Sequence, residues 1–508
     1  MSTPAPNVSS GTASDKSIPL SLALMPVILL MIMLAASVYY FADDSSYGGN
    51  QIGLLIAAAI ASLIGVRLGY KWNDIEQGII DGISNAMIAV LILLVVGSLI
   101  GSWMLSGTVQ SLIYYGLMLI SAEWFYAAAC LVCAIAAMSI GSSWTVAGTL
   151  GVAFMGMAAA MQLDPAIAAG AVISGAYFGD KLSPLSDTTN LASAVTNTPL
   201  FLHIQNLLWT TIPSFMLALI LFTFMGGESS LSSAQSIRET MAGLDANFTI
   251  GLHLLLPVVF VFVLAWLKVP ALPTILAGAL LGGLFAVLFQ PEVVSRFALV
   301  SGFSPDLSGI EQGILAVWKV LFDGYKSNIG NEALDSLLSR GGMSSMLNTV
   351  WLILCAMAFG SVMETVGLLQ RILTAIMSSI ESTTGLIITT VFTCIGANMM
   401  TADQYIAIVL PGRMFKLEYA KRGLASQNLS RTLEDSATMT SPLIPWNTCG
   451  AYMAGTLGVA TLSYLPYTFF NLLGPLFCIA FAITHFRIIP IDANAATNSE
   501  ANPEKLVG

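Results

Sequence analysis

Long apolar blocks separated by short polar ones dominate the chain. Leu20 to Phe41, Gly53 to Leu68, Ala86 to Leu105 and Phe260 to Phe289, the last broken near Pro270, approach or exceed the roughly 20 residues that cross a bilayer as helix. Predicted spans fall near 20–41, 52–69, 84–106, 109–121 joined to 123–140, 145–161, 165–195, 203–226, 248–290 as two, 346–366, 369–395, 402–418, 441–460 and 464–485. The pattern predicts an all-α polytopic membrane protein of about eleven to thirteen crossings or half-crossings. Pieces around 141–161 and 396–418 are too short or too interrupted for full spans. They read as re-entrant hairpins or broken helices.

The order of short motifs repeats. Gly101-Ser102-Trp103-Met104 returns as Gly360-Ser361-Val362-Met363, and Ser183-Pro184-Leu185 returns as Ser441-Pro442-Leu443. Between them, Gly141-Ser142-Ser143-Trp144-Thr145 has a looser counterpart in Gly396-Ala397-Asn398-Met399-Met400-Thr401. Near-constant spacing predicts a duplicated half, and an odd number of crossings in each would make two inverted repeats around a mid-membrane axis. The expected organisation is a disordered N-terminal tail (1–18), a first repeat half (19–226), a linker with two spans and a polar loop (227–345), a second repeat half (346–486) and a C-terminal tail (487–508). Within the polar loop, Glu311 to Phe322 and Leu334 to Leu338 have the composition of interfacial helices.

Composition agrees with a bilayer solvent. The chain is 56% hydrophobic and 9% charged, where a soluble protein is about 25% charged. Its first block exceeds the 7 to 15 residues expected of a signal-peptide core and reads as a retained span. A net charge of −10 argues against binding nucleic acid or anionic surfaces through basic patches. Of the six cysteines, Cys130, Cys133, Cys355 and Cys394 lie in apolar stretches, where packing is the expected role. Arg67 with Lys71, and the run Arg413, Lys416, Lys421, Arg422 and Arg431, mark two cytoplasmic loops and place the amino terminus inside the cell, with the chain in the cytoplasmic (inner) membrane.

Acidic residues in hydrocarbon cost at least about 2.5 to 3.5 kcal/mol at a helix centre and need a reason. The stretch from Ser174 to Asn190 breaks an apolar block with Asp180, Lys181, Ser183, Pro184, Asp187, Thr188 and Asn190. Pro184 disrupts the helix before it and frees carbonyls near Asp180. Oxygen-rich, unwound backbone beside carboxylates suits a hard cation such as sodium, expected at Asp180 and Asp187. A carboxylate that is either ionised or protonated lets Na+ and H+ compete for one place. The second half offers Glu434, Asp435, Ser441, Asn447 and Thr448 around Pro442 and Pro445. Ser142, Ser143 and Thr145, with Asn398 and Thr401, are the hairpin residues placed to complete the coordination sphere.

Plainer readings stand beside these. Asp180 and Lys181 fit a simple loop, Asp187 an N-cap for a helix starting at Thr188, and Glu434 and Asp435 a cap for a helix entering at Ser441. Glu364 breaks the repeat and is a proton carrier or a packing partner, and Asp403 is placed to touch the ion. His203, His253 and His485 lie near block ends, where a lone histidine is usually structural; His203 is the candidate pH sensor. Lys181 is the cation placed to pair with a substrate carboxylate, with Asp180 or with Asp187. No G-x-x-x-x-G-K-[ST] loop is present, so transport is expected to draw on ion gradients and not on nucleotide hydrolysis. An enzyme is not expected, nor any cofactor.

The string Ser-Gly-Ala-Tyr-Phe-Gly-Asp-Lys-Leu-Ser-Pro-Leu-Ser-Asp-Thr-Thr-Asn-Leu-Ala at 174–192 closely resembles the NhaC family of sodium/proton antiporters. Asp403-Gln404-Tyr405, Leu410 to Phe415, Leu429 to Asp435 and Leu443 to Tyr452 resemble it too, and in order and spacing the similarity covers roughly residues 20–485. The resemblance implies membership of the ion-transporter superfamily, with inverted repeats, paired hairpins and an elevator-like movement. It implies exchange of Na+ for H+. Because some relatives exchange malate for sodium and lactate, a sodium-coupled carrier of small carboxylates is the alternative. A homodimer would supply the anchored scaffold that an elevator needs.

Overall fold

A computed structural model describes residues 18–41, 47–226, 231–377 and 382–491. Apart from Ile18 and residues 487–491, the tails expected at 1–18 and 487–508 lie outside the described residues. In chain order the helices are α1 (Leu20–Phe41), α2 (Gly49–Leu68), α3 (Trp72–Leu105), α4 (Thr108–Leu119), α5 (Phe125–Ile140), α6 (Ser143–Ala160) and α7 (Pro165–Leu182). Next come α8 (Asp187–Thr196), α9 (Leu200–Phe224), α10 (Leu231–Asn247), α11 (Leu256–Trp266), α12 (Ala271–Phe289), α13 (Pro291–Val300), α14 (Gly309–Asp323) and α15 (Glu332–Leu338). The last are α16 (Leu347–Thr365), α17 (Leu368–Met377), α18 (Thr383–Thr401), α19 (Gln404–Lys421), α20 (Ser426–Leu433), α21 (Thr448–Leu457) and α22 (Phe469–Thr484). Among the described residues one isolated antiparallel bridge, Leu424 with Pro490, is the sole β pairing.

Eight of these helices are long and apolar enough to cross a membrane, or up to ten spans when two bent pairs are included. The bent pairs turn by 95° between Ala234–Asn247 and Leu252–Trp266, and by 59° between Thr461–Tyr467 and Phe469–Thr484. Helix α5 is a shorter apolar helix. Broken helices are thus a property of the fold. Lipid permits them only where protein or a polar cavity satisfies the freed backbone.

The described residues form two compact units, one within 18–85 and 355–377 and the other within 86–354 and 382–491. In the first, α1 packs on α2 and α17, and the Arg371 Nε donates to the Ile18 carbonyl at 2.6 Å. The second holds every residue of the 174–190 and 434–448 stretches.

In that second unit the closest helix pairing is α5 against α7. It depends on Gly175 and Gly179, a small-x-x-x-small spacing that lets two membrane helices touch through their backbones. A Cβ on Gly175 would stand 2.0 Å from the Cys130 carbonyl oxygen, and one on Gly179 2.2 Å from that of Ala134. This approach sets the last turn of α7 against the chain break that precedes α6.

Within the expected linker at 227–345, residues 231–247 form α10, whose Ser236 hydroxyl donates to the Ala160 carbonyl at 3.0 Å. The stretch 311–322, expected at the interface, lies within α14, which runs antiparallel along α12. Its Val317 lies against Gly283 while its Gly313 lies against Val287. Gly313, Ala316 and Val320 are buried, and Ile310, Ile314 and Trp318 form an exposed apolar stripe.

Backbone punctuation recurs along the chain. Left-handed residues that end helices or turns occur at Gly107 and Gly367, Gly141 and Ala402, Gln162 and Gly423, and Asn197 and Gly458. The offsets are 260, 261, 261 and 261.

Candidate functional site

Helix α5 stops at Gly141, whose φ of 76° ends the helix in the left-handed region. The chain restarts at Ser143, with Ser142 as N-cap. The Ser142 hydroxyl accepts from the Thr145 amide at 3.2 Å and from the Thr145 hydroxyl at 3.0 Å. Asp180 meets this new N-terminus from the last turn of α7. One of its carboxylate oxygens accepts from the Ser143 amide at 3.1 Å and from the Ser143 hydroxyl at 2.7 Å. Asp180 is 7% exposed. A buried carboxylate at the positive end of a half-helix is stabilised by oriented amides, and it keeps acceptor capacity for a cation or a proton.

Lys181, the next residue, points elsewhere. Its ammonium pairs with an Asp435 carboxylate oxygen, and both side chains are buried, at 1% and 0% exposure. The expected pairing of Lys181 with Asp180 or Asp187 is therefore corrected: the turn of α7 directs the two side chains to different neighbours. The Thr210 hydroxyl donates to the same Asp435 oxygen at 3.0 Å, and the Phe470 ring lies 5.7 Å from the ammonium. The Thr189 hydroxyl donates to the Lys181 carbonyl at 3.0 Å and anchors the turn. Glu434 is fully buried in the π turn Glu434–Thr438 that continues α20. Neither of its carboxylate oxygens bonds to a described residue. Lys181, Asp180, Thr188 and Thr438 are the groups that act on it. Glu434 and Asp435 lie inside a helix and do not cap one.

Around the end of α18 and the start of α21 the polar contacts are neutral. The Asn398 amide donates to the Ala437 carbonyl at 2.6 Å and to the Thr440 hydroxyl at 3.0 Å. The Asn447 amide donates to the Asn398 carbonyl and side-chain oxygens, each at 3.2 Å, and its own oxygen caps α21 at the Cys449 amide, 3.0 Å. The Ser441 hydroxyl donates to the Gln404 side-chain oxygen at 2.6 Å. The Thr401 hydroxyl donates to the Ala397 carbonyl at 2.9 Å, and the Thr448 amide donates to the Ala402 carbonyl at 2.9 Å. Amides and hydroxyls here take the place that carboxylate and hydroxyl hold at Asp180.

Other expected residues are placed as follows. Asp187 opens α8 on an exposed face, and Thr188 beside it is buried, its hydroxyl 3.1 Å from that of Ser186. The Asn190 amide is committed to the break itself, donating to the carbonyls of Ser186 at 2.7 Å and Pro184 at 3.0 Å. The buried Ser183 hydroxyl accepts from the Leu185 amide at 3.3 Å. Asp403 is the N-cap of α19, accepting from the Ile406 amide at 2.8 Å. Glu364 belongs to the other unit, on an exposed face of α16.

Several contributors were not foreseen. Thr210 looks like any threonine of an apolar helix until Asp435 is placed beside it. Trp144 stacks on Tyr452 with centroids 4.0 Å apart at 13°, and the Tyr452 hydroxyl donates to the Trp144 carbonyl at 2.8 Å; the position of Trp144 between Ser143 and Thr145 was the available signal. Arg431, expected in a basic cytoplasmic loop, is corrected to a buried residue. Its guanidinium donates to the Asn206 side-chain oxygen at 3.1 Å and to the Arg487 carbonyl at 3.2 Å.

Broken helices meeting around buried carboxylates define a secondary transporter. The sequence profile of the Na+/H+ antiporter family matches residues 175–486, and the chain belongs to that family of multi-pass membrane carriers, which are not enzymes. It is 40% identical over 432 residues to the Na+/H+ antiporter NhaC of Alkalihalophilus pseudofirmus, covering 85% of this chain and 89% of that one. With NhaC of Bacillus subtilis it shares 36% over 431 residues, 84% and 91% of the two chains. With the malate-2H+/Na+-lactate antiporter of Bacillus subtilis it shares 35% over 420 residues, 82% and 85%.

Proposed function

We propose that the protein exchanges Na+ for H+ across the cytoplasmic membrane, with Asp180 as the seat of the sodium ion. The observation that carries this reading is a charge imbalance in the buried cluster. Asp435 is matched by Lys181, whereas among the described residues no Lys or Arg bonds Asp180 or Glu434. A buried carboxylate without a counter-charge is neutralised by a proton or by a cation. Na+ coordinated by Asp180, with Ser143 beside it, and H+ on the same carboxyl are alternative ways to close the balance. That alternation is the elementary step of antiport.

The halves at 19–226 and 346–486 then form the two repeats, a reading supported by the constant offset of the left-handed residues. The positive charges of Arg67 and Lys71 support an amino terminus on the cytoplasmic side. A homodimer suits an elevator with an anchored scaffold. Exchange of small carboxylates is the second reading, favoured by the malate-lactate relative. The engagement of Lys181 with Asp435 weighs against it, because the cation placed to hold a substrate carboxylate is already paired.

The test is transport by purified protein in liposomes. An imposed Na+ gradient is expected to drive proton movement, read by a pH-sensitive dye, without any dicarboxylate. Correctly inserted protein that moves no protons in response to Na+ removes the reading, and Na+-dependent uptake of labelled malate would promote the second one.

A further inference from the structure

We propose that protons reach the Lys181–Asp435 pair along a polar seam between α9 and α20, by a route separate from the sodium seat at Asp180. The inference rests on the exchange reading and revises where its proton is held: H+ sits on Asp435 and displaces Na+ from Asp180 through the charge of Lys181, in place of direct competition on the Asp180 carboxyl.

Helix α9 is apolar over most of its surface, yet one face carries His203, Asn206, Thr210 and Ser214, spaced three and four residues apart. All are buried. They meet Gln427, Ser430, Arg431 and Asp435, which share a face of α20 and its π turn. His203 Nδ1 lies 2.8 Å from the Ser430 hydroxyl, and the Asn206 amide donates to the Gln427 carbonyl at 2.8 Å. Arg431 donates to Asn206, Thr210 to Asp435, and the Ser214 hydroxyl to the Thr210 carbonyl at 2.6 Å. Hydrogen bonds of this kind hold membrane helices together, but the buried His203 Nε2 and one Asp435 oxygen bond to no described residue and add nothing to that hold.

Both ends of the seam have a destination. At the first turn of α9 and the start of α20 lies a cavity of about 610 Å³, lined in part by Thr196, Leu202, Lys416, Ser426, Gln427 and Ile489. At the other end is Asp435, one of whose carboxylate oxygens is buried and bonds to no described residue. Between them stands His203, whose Nε2 is likewise buried and bonds to no described residue. Lys181 from α7 is the charge that acts on this ring, and Arg431 and Asp435 stand further along the seam, at Asn206 and Thr210.

An imidazole passes a proton by accepting one on a ring nitrogen and releasing the one held on the other. The arriving proton ends on the Asp435 carboxylate and converts it to a neutral carboxyl. Lys181 then keeps its positive charge without its partner, beside Glu434, on which it already acts, and one residue from Asp180. The freed ammonium raises the cost of Na+ at Asp180, so that proton arrival favours sodium release.

The experiment compares two reactions of the same liposomes: exchange of Na+ for H+, and exchange of labelled Na+ for unlabelled Na+, which needs no proton transfer. His203→Asn keeps a hydrogen-bonding group near Ser430 and removes the second transferable position. Ser430→Ala removes the partner hydroxyl with little change of volume. In each variant Na+/H+ exchange is expected to fall by about tenfold or more while Na+/Na+ exchange stays within about twofold of the unmodified protein. Parallel loss of both reactions would show that the seam only holds the helices together, and no loss of either would show that protons travel elsewhere; both outcomes overturn the proposal. Absence of Na+-driven proton movement in the unmodified protein is a different result, which removes the exchange reading and this inference with it.

Discussion

Lys181 and Asp435 stand 254 residues apart in sequence and form an ion pair with both side chains buried. The pair joins the break after α7 to the π turn after α20, and Thr210 from α9 holds it in place. Removing one partner strands the other charge in a low-dielectric interior. We expect Lys181→Met and Asp435→Leu each to lower stability by about 3–5 kcal/mol, with the double substitution recovering most of the loss. Thermal unfolding in detergent reads both outcomes, and additive losses in the double variant would contradict a direct pair.

Asp180→Asn is expected to abolish Na+-dependent proton movement in inserted protein. Ser143→Ala removes the hydroxyl that donates to Asp180 and leaves the backbone amide. A hydrogen bond to a charged group contributes about 1.5–3 kcal/mol, so the apparent KM for Na+ should rise about tenfold or more. Asp187→Asn, at an exposed position, should do less than Asp180→Asn. Equal effects of the two would give Asp187 a larger share of the seat.

Gly179→Val inserts a branched side chain where the Ala134 carbonyl oxygen lies 2.2 Å from the Cβ position. Overpacking of a tight contact costs about 1–3 kcal/mol or more. The yield of folded protein should drop and the unfolding temperature should fall. A variant that keeps both would show that α5 and α7 separate easily.

The N-terminus of α14 carries a pH-dependent cap. The Ser308 hydroxyl and amide donate to Glu311 at 2.7 and 2.9 Å, and these bonds, the hydroxyl first, hold the Glu311 carboxyl below its ordinary value. A carboxyl lowered by folding stabilises the folded state above its unfolded pKa, about 4.3, and that contribution disappears as pH falls through the folded value. Hydrogen exchange at residues 308–312, corrected for intrinsic rate, should accelerate at acid pH, and Glu311→Gln should remove the dependence.

Much of this arrangement was legible in residue order. Helical spans followed from apolar block length, the break at 183–186 followed from Pro184, and the interruption near 141 followed from the shortness of the piece at 141–161. The choice of Asp180 as a candidate followed from the cost of a carboxylate in lipid, and its burial against Ser143 agrees with that cost. Partner choice did not follow, because which of three acids receives the Lys181 ammonium depends on helix rotation and crossing, which are not local properties. Arg431 illustrates the same limit. A cationic run near a helix end resembles a cytoplasmic loop, and only the return of residues 487–491 against α20, with Arg487 supplying a carbonyl, shows how that guanidinium is accommodated. Asn398 and Asn447 were selected for their oxygens, but their amide donors are what fasten the second hairpin.

The left-handed residues at matched offsets have an engineering consequence. In three of the four pairs one member is glycine and the other is Ala402, Gln162 or Asn197, so a similar bend is held by glycine at one place and against the resistance of a side chain at the other. An L-residue in that conformation costs about 1–2 kcal/mol, least for asparagine. Writing glycine into Ala402 and Gln162 would borrow the solution used by the opposite member of each pair. Such borrowed glycines offer a rational way to harden a membrane carrier for handling in detergent, with every side chain of the buried carboxylate cluster left as it is.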